Sequence, residues 1–169
     1  NRNIKTSDFW SLTNIVLNSK NHIIESQDRR VEQTLEMSVK NQMNSDVPLG
    51  VFLSGGIDSS LVACLAQKNS LNKINTFTIG FHEASFDEGK FAKKISERIG
   101  TQHNEEYFSI SILKKLVENI GDVYDEPFAD SSQLPTLLLS EITRRKVTVA
   151  LSGDGGDELY GGYYRYFMA

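Results

Sequence analysis

Two short runs of this chain combine residue types that handle phosphate. Val51-Phe52-Leu53-Ser54-Gly55-Gly56-Ile57-Asp58-Ser59-Ser60 passes from an apolar strand-like run through small residues into a helical pattern. That order builds a phosphate cradle. Gly55 and Gly56 lack the Cβ atoms that would hold a polyphosphate off the backbone, so consecutive N–H groups can face anionic oxygens. Ser54, Ser59 and Ser60 add short hydroxyl donors. Asp58 falls in the first turn of the expected helix, where the macrodipole favours a carboxylate that would itself repel a bare phosphate. A bridging divalent cation resolves that conflict, because magnesium takes one or two carboxylates with phosphate oxygens and water.

The second run, Ser152-Gly153-Asp154-Gly155-Gly156-Asp157-Glu158, repeats this chemistry: small residues permit close approach and carboxylates stand at a helix start. Neither run is a Walker A loop, since no Gly-Lys-Ser/Thr closes the first and no lysine follows it until Lys68. The first is not a dinucleotide fingerprint either. Taken alone, Ser-Gly-Gly also reads as an ordinary strand-to-helix turn with Asp58 or Ser59 as a helix cap.

The elements that must position these runs follow a βαβ rhythm. Asn1 to Gln27 is polar, with Phe9-Trp10 as its one strong anchor, and is expected as an interdomain linker or lead-in; residues 28–169 are expected as the domain proper. Asp28 to Asn44 reads as a helix. Strands are expected at Leu49–Leu53, Ile74–Gly80, Glu105–Phe108 and Lys146–Leu151, with helices at Ser59–Asn69, Glu88–Ile99, Ser111–Gly121 and Leu134–Arg145. Gly100 is placed to cap its helix. The fold class is α/β, a parallel sheet of about four to five strands with helices on both faces. In such a sheet ligands bind outside the carboxyl ends of the strands, so both glycine-rich runs fall at one site.

Composition narrows the partners. The 169 residues are 39% hydrophobic, enough for one globular core, with a net charge of −4 and a pI near 5.4. The acidic balance and the absence of a basic face argue against nucleic acid. No apolar stretch reaches membrane-spanning length and none reads as a signal peptide. A single cysteine, Cys64, excludes an internal disulfide and fits a reducing, cytoplasmic setting. It reads as helix core beside Leu61, Val62 and Leu65.

Ser54 to Ser60 resembles the loop of the N-type ATP pyrophosphatases, which GMP, NAD and argininosuccinate synthetases share with tRNA-thiolating enzymes. Ser152 to Tyr163 resembles the second signature of the asparagine synthetase synthetase domain. Ser85-Phe86-Asp87-Glu88 and Asp125-Glu126-Pro127-Phe128-Ala129-Asp130-Ser131-Ser132 also fit that family, so the likeness runs from about Phe9 to the end.

The resemblance implies ATP and Mg2+ as cofactors and a two-step reaction: aspartate attacks the α-phosphorus of ATP to give β-aspartyl-AMP and pyrophosphate, and ammonia then displaces AMP. It implies that Ser54, Gly55, Gly56, Asp58, Ser59 and Ser60 hold pyrophosphate, and that Asp58 and Asp157 ligate magnesium. Leu53, Ile79, Ser152 and Gly153 would contact adenine or ribose. Asp154 stands where the family commonly carries a glutamate that acts on the intermediate and on ammonia; here the side chain is one methylene shorter. Ammonia would come from a glutaminase domain, and the full-length protein is a possible homodimer. The chain is expected to be a piece of a longer protein, truncated at its C-terminus, binding nucleotide weakly alone. Amidation of another carboxylate, such as a sugar acid, and a non-catalytic binding module remain alternatives.

Overall fold

A computed structural model describes residues 6–19, 27–83, 87–126 and 129–168. Two compact units, Asn1–Leu35 and Glu36–Ala169, divide the chain. The first holds α1 (Leu12–Ser19) and the opening of α2 (Gln27–Gln42). Phe9 and Trp10, the expected anchor, carry exposed side chains there. Ser85 and Phe86, and Pro127 and Phe128, of the family-like motifs lie outside the described residues.

The second unit is built on four parallel strands: β1 (Leu49–Phe52), β2 (Asn75–Phe81), β3 (Gln102–Phe108) and β4 (Val149–Leu151). Their order is β3-β2-β1-β4. The chain walks outward from β1 to β3 and then returns across the sheet to the far side of β1. This reversal puts a topological switch point between β1 and β4, where the two glycine-rich loops emerge.

The burial of each strand explains its composition. Central β2 is buried along most of its length, matching the run Asn-Thr-Phe-Thr-Ile-Gly-Phe. Phe77 fills the core so tightly that a Cβ on Gly50 would lie 2.5 Å from its ring. Pairing persists beyond β1 through the N–H of Leu53 to the carbonyl of Phe77 at 2.9 Å, and Thr78 Oγ1 donates to the Leu53 carbonyl. Edge strand β3 is only partly buried, and its Glu105 and Glu106 pair with Lys93 at 2.7 Å and Arg145 at 3.1 Å. Charges on an edge discourage pairing with other chains.

Helices α3 (Ile57–Lys68) and α4 (Gly89–Ile99) form the β1-to-β2 and β2-to-β3 crossovers and pack together. Right-handed connection then puts the return path, with α5 (Ser111–Val117), α6 (Ile120–Val123) and α7 (Gln133–Arg144), on the opposite face. Gly100 closes α4 at φ 85° with its N–H on the Ser96 carbonyl at 2.8 Å, as expected.

Four expectations change, the first being that β4 begins at Val149 rather than Lys146. Ser111–Gly121 is two short helices, because Asn119 leaves helical geometry at φ −103°, ψ 2°. Strand β3 begins at Gln102 rather than Glu105, its polar opening being an edge feature. Cys64 is exposed. The buried residues of α3 are Ser59, Ala63, Leu65 and Ala66, three of them small enough to let the helix approach the sheet, and Cys64 is turned away from them.

Candidate functional site

A cavity of about 710 Å3 opens at the carboxyl ends of β1, β2 and β4. Ten of the expected site residues line it: Leu53, Ser54, Gly56, Asp58, Ser59, Ile79, Ser152, Gly153, Asp154 and Asp157. Gly55 and Ser60 stand behind the wall. Gly55 takes φ +91°, and a Cβ there would lie 2.8 Å from Phe91 Cβ, so this glycine lets the loop press on α4. Ser60 turns its hydroxyl back onto the Gly56 carbonyl at 2.5 Å.

The first loop is held by its own serines. Ser59 Oγ is buried and lies 3.2 Å from the Ser54 N–H and 2.9 Å from Ser54 Oγ. The N-cap of α3, Gly56, makes no side-chain cap bond. The first N–H groups of a helix have no partner within it, so this end suits an anion.

The second loop rests on that same helix end. A Cβ on Gly153 would lie 2.7 Å from the Ser59 backbone nitrogen and 3.0 Å from the Asp58 carbonyl carbon. Gly156 is equally close to the Asp58 carboxylate, its would-be Cβ 2.4 Å from Cγ. Beyond it, α8 (Gly156–Tyr160) carries Asp157, whose carboxylate packs on Gly162. Asp154 Oδ2 accepts the Ser152 hydroxyl at 2.9 Å, which orients that carboxylate at the mouth. Tyr163 donates its hydroxyl to Glu158 at 2.5 Å; the bond draws Glu158 below the usual carboxylate range and pushes Tyr163 up to about 12. The Arg165 guanidinium lies 4.3 Å over the Tyr163 ring.

Asp58, Glu88, Asp154 and Asp157 face the cavity, while its described lining holds no Lys, Arg or His. A polyphosphate here needs added positive charge. No group of three metal-ligating side chains occurs among the described residues. A magnesium ion completed by phosphate oxygens needs only one or two carboxylates, so Asp58 and Asp157 fit that donor set.

Part of the wall lies beyond the residues expected to hold pyrophosphate, magnesium and adenosine; of Asp87 and Glu88, which read as helix caps or substrate contacts, one takes each place. Glu88 lines the cavity while its neighbour Asp87 accepts the Gly89 N–H at 3.0 Å and closes the start of α4. Ser132, Pro135, Thr136 and Leu139 of α7 and its approach complete the far side. Asp125, Glu126, Asp130 and Ser131 do not line it. Asp130 accepts both the N–H and the hydroxyl of Ser132 at 2.8 Å, which hold its carboxyl below the usual range. The spacing of Asp130 and Ser132 was the available signal for this turn; that α7 reaches the cavity follows from the return crossover. His103 lies in a threonine cluster away from the site, 3.0 Å from Thr76 Oγ1.

The family model for asparagine synthase matches residues 30–169. This chain belongs to the asparagine synthase family. It is 42% identical over 164 residues to a Methanocaldococcus jannaschii protein provisionally named asparagine synthetase (glutamine-hydrolysing) 2, covering 96% of this chain and 31% of that one. Against asparagine synthetase (glutamine-hydrolysing) 1 of Bacillus subtilis it is 37% identical, covering 82% of this chain and 22% of the relative. The chain thus spans under a third of these relatives. Among solved structures, the NH3-dependent NAD synthetase of Campylobacter jejuni matches with TM-score 0.54 at 18% identity, over 80% of this chain and 60% of that one. The glutamine-dependent NAD+ synthetase of Acinetobacter baumannii, solved with ADP, gives TM-score 0.54 at 22% identity, over 85% of this chain and 29% of that one. These two likenesses concern the fold alone. Among the described residues no helix is long and apolar enough to cross a membrane.

Proposed function

We propose that this chain carries the nucleotide-binding half of a synthetase that amidates aspartate. The side-chain carboxylate of aspartate attacks the α-phosphorus of ATP, the bond to the β-phosphate oxygen breaks, and pyrophosphate leaves with that oxygen's electron pair. Ammonia then attacks the acyl carbon of β-aspartyl-AMP, loses a proton, and expels AMP to give asparagine. Relatives named as glutamine-hydrolysing asparagine synthetases favour glutamine as the ammonia source, through a glutaminase domain.

The observation that carries this reading is the seating of Gly153 on the backbone of Asp58 and Ser59. It brings two carboxylate-bearing loops to one helix start. Because attack at the α-phosphorus makes the whole pyrophosphate the leaving group, donors around it stabilise the charge that develops there. Asp58 and Ser59 would present backbone N–H groups and Gly56 close approach, its own N–H donating to Ser54 Oγ at 3.3 Å, with Gly55 giving the turn, Ser54 a hydroxyl, and Ser60 bracing the helix start. Leu53, Ile79, Ser152 and Gly153 would flank adenosine. Asp58 and Asp157 would hold magnesium, which neutralises pyrophosphate charge when bound. Asp154, at the mouth, would accept the ammonia proton.

The test is pyrophosphate release by the full-length parent from ATP and magnesium across a panel of carboxylic acids. Release with aspartate supports the assignment. Release only with a different acid, such as a sugar acid, would reassign the acceptor, and none with any acid would leave a binding module.

A further inference from the structure

Tyr107 sits outside the cavity wall, on edge strand β3, with its ring across glycines of two other elements. Gly80 is its register partner at the end of β2. A Cβ on Gly80 would lie 2.4 Å from Tyr107 Cε1, and one on Gly89, the first residue of α4, would lie 2.7 Å from Tyr107 Oη. No residue with a side chain could bring either backbone this close, so ring and glycines form one stack. Asp87 fixes the same helix start through the Gly89 N–H, with its side chain only 6% exposed. Desolvation where the ring meets these backbones, with the nearby Asp87 carboxylate, pushes the Tyr107 hydroxyl up, although the residue is 37% exposed.

One turn further, α4 meets the phosphate loop. The would-be Cβ of Gly55 is 2.8 Å from Phe91 Cβ and 3.0 Å from the Ala92 nitrogen. Glu88, held between Asp87 and Gly89, faces the cavity. Displacement of the α4 start therefore moves the cavity wall and the seat of the loop together.

We propose that Tyr107 is a positioning residue for nucleotide binding: its ring sets where α4 begins, and the first turn of α4 sets the Ser54–Ser60 loop. It acts through its contact with the Gly80 and Gly89 backbones, its ring also stacking on His82 with centroids 6.1 Å apart. This inference rests on reading that loop as an ATP site.

The test uses the full-length parent, with titration calorimetry of ATP and magnesium beside initial rates. Tyr107→Ala raises both the Kd and the KM for ATP about tenfold while kcat stays within about twofold, the pattern of lost uniform binding. Tyr107→Phe keeps the ring and stays within about twofold. Gly89→Ala drives a methyl at Oη and weakens ATP about tenfold, but only about threefold in the Tyr107→Phe background, where the colliding hydroxyl is gone. Lower melting temperatures with unchanged ATP affinity across these variants would overturn the proposal and leave the nucleotide reading intact. Failure of the wild-type parent to bind ATP would overturn both.

Discussion

Both ends of the sheet are polar, but they use polarity differently. At the amino end, Thr76 Oγ1 lies 2.9 Å from Thr101 Oγ1 and 3.0 Å from His103 Nδ1, and Ser96 Oγ lies 2.7 Å from Thr101 Oγ1. Thr76 and Ser96 are fully buried, and the cluster ties β2, β3 and α4 to one another. At the carboxyl end, glycines let backbones touch while Asp58, Asp154 and Asp157 face a cavity. Hydrogen-bonding capacity consumed internally holds a fold; capacity kept open at a helix start and a cavity wall is available to a ligand.

Substitutions that hit only one end separate these roles. The largest effect belongs to Asp58→Asn, which should cut pyrophosphate release about 100-fold or more at ordinary magnesium while the protein melts as before. Unchanged turnover would remove Asp58 from the magnesium site. Gly153→Ala comes next: its methyl meets backbone, which cannot step aside as a side chain could. We expect about 1–3 kcal/mol of destabilisation in urea, with turnover per folded molecule falling about tenfold as the loops are forced apart. A purely thermal effect would show that the seating of the two loops serves packing alone.

Thr76→Val inverts the pattern. It leaves Thr101 and His103 short of a partner and should cost about 1–3 kcal/mol, with turnover per folded molecule unchanged. The smallest effect is a pH dependence at His103. Burial lowers its pKa most, Glu105 and Glu97 oppose this, and Lys93 reinforces it. The folded state therefore prefers the neutral ring. Its contribution is intact above about pH 6.5, the usual value for histidine, and is lost as pH falls through the lower folded-state value. His103 Nε2 and Glu105 Oε2, 3.8 Å apart, are both buried without a hydrogen-bond partner. Melting curves from pH 7.5 to 5 should slope less for His103→Gln than for the wild type; parallel slopes would show that another group carries the dependence.

Much of this contrast was legible in the sequence. The β1 and β4 runs, their glycines and the following carboxylates announced a single site once parallel strands were inferred, because the carboxyl ends of such strands share one edge. What stayed hidden depends on packing between distant segments. Nothing local says that Ser132 to Leu139 returns to face Ile79, or that Gly55 serves α4 while Gly56 serves the cavity. Gln102 to Asn104 looked too polar for a strand because its edge position could not be seen. Cys64 was misplaced because, of its expected neighbours, only Leu65 is buried; the rest of the buried face of α3 is Ser59, Ala63 and Ala66.

The central claim is that both loops serve one site where a carboxylate takes the adenylyl group of ATP and displaces pyrophosphate. ATP–pyrophosphate exchange by the full-length parent, without ammonia or glutamine, tests it most directly. The account predicts exchange that requires aspartate and magnesium, is lost in Asp58→Asn and falls about tenfold per folded molecule in Gly153→Ala. Aspartate-dependent formation of ADP and inorganic phosphate, with no exchange, would contradict it.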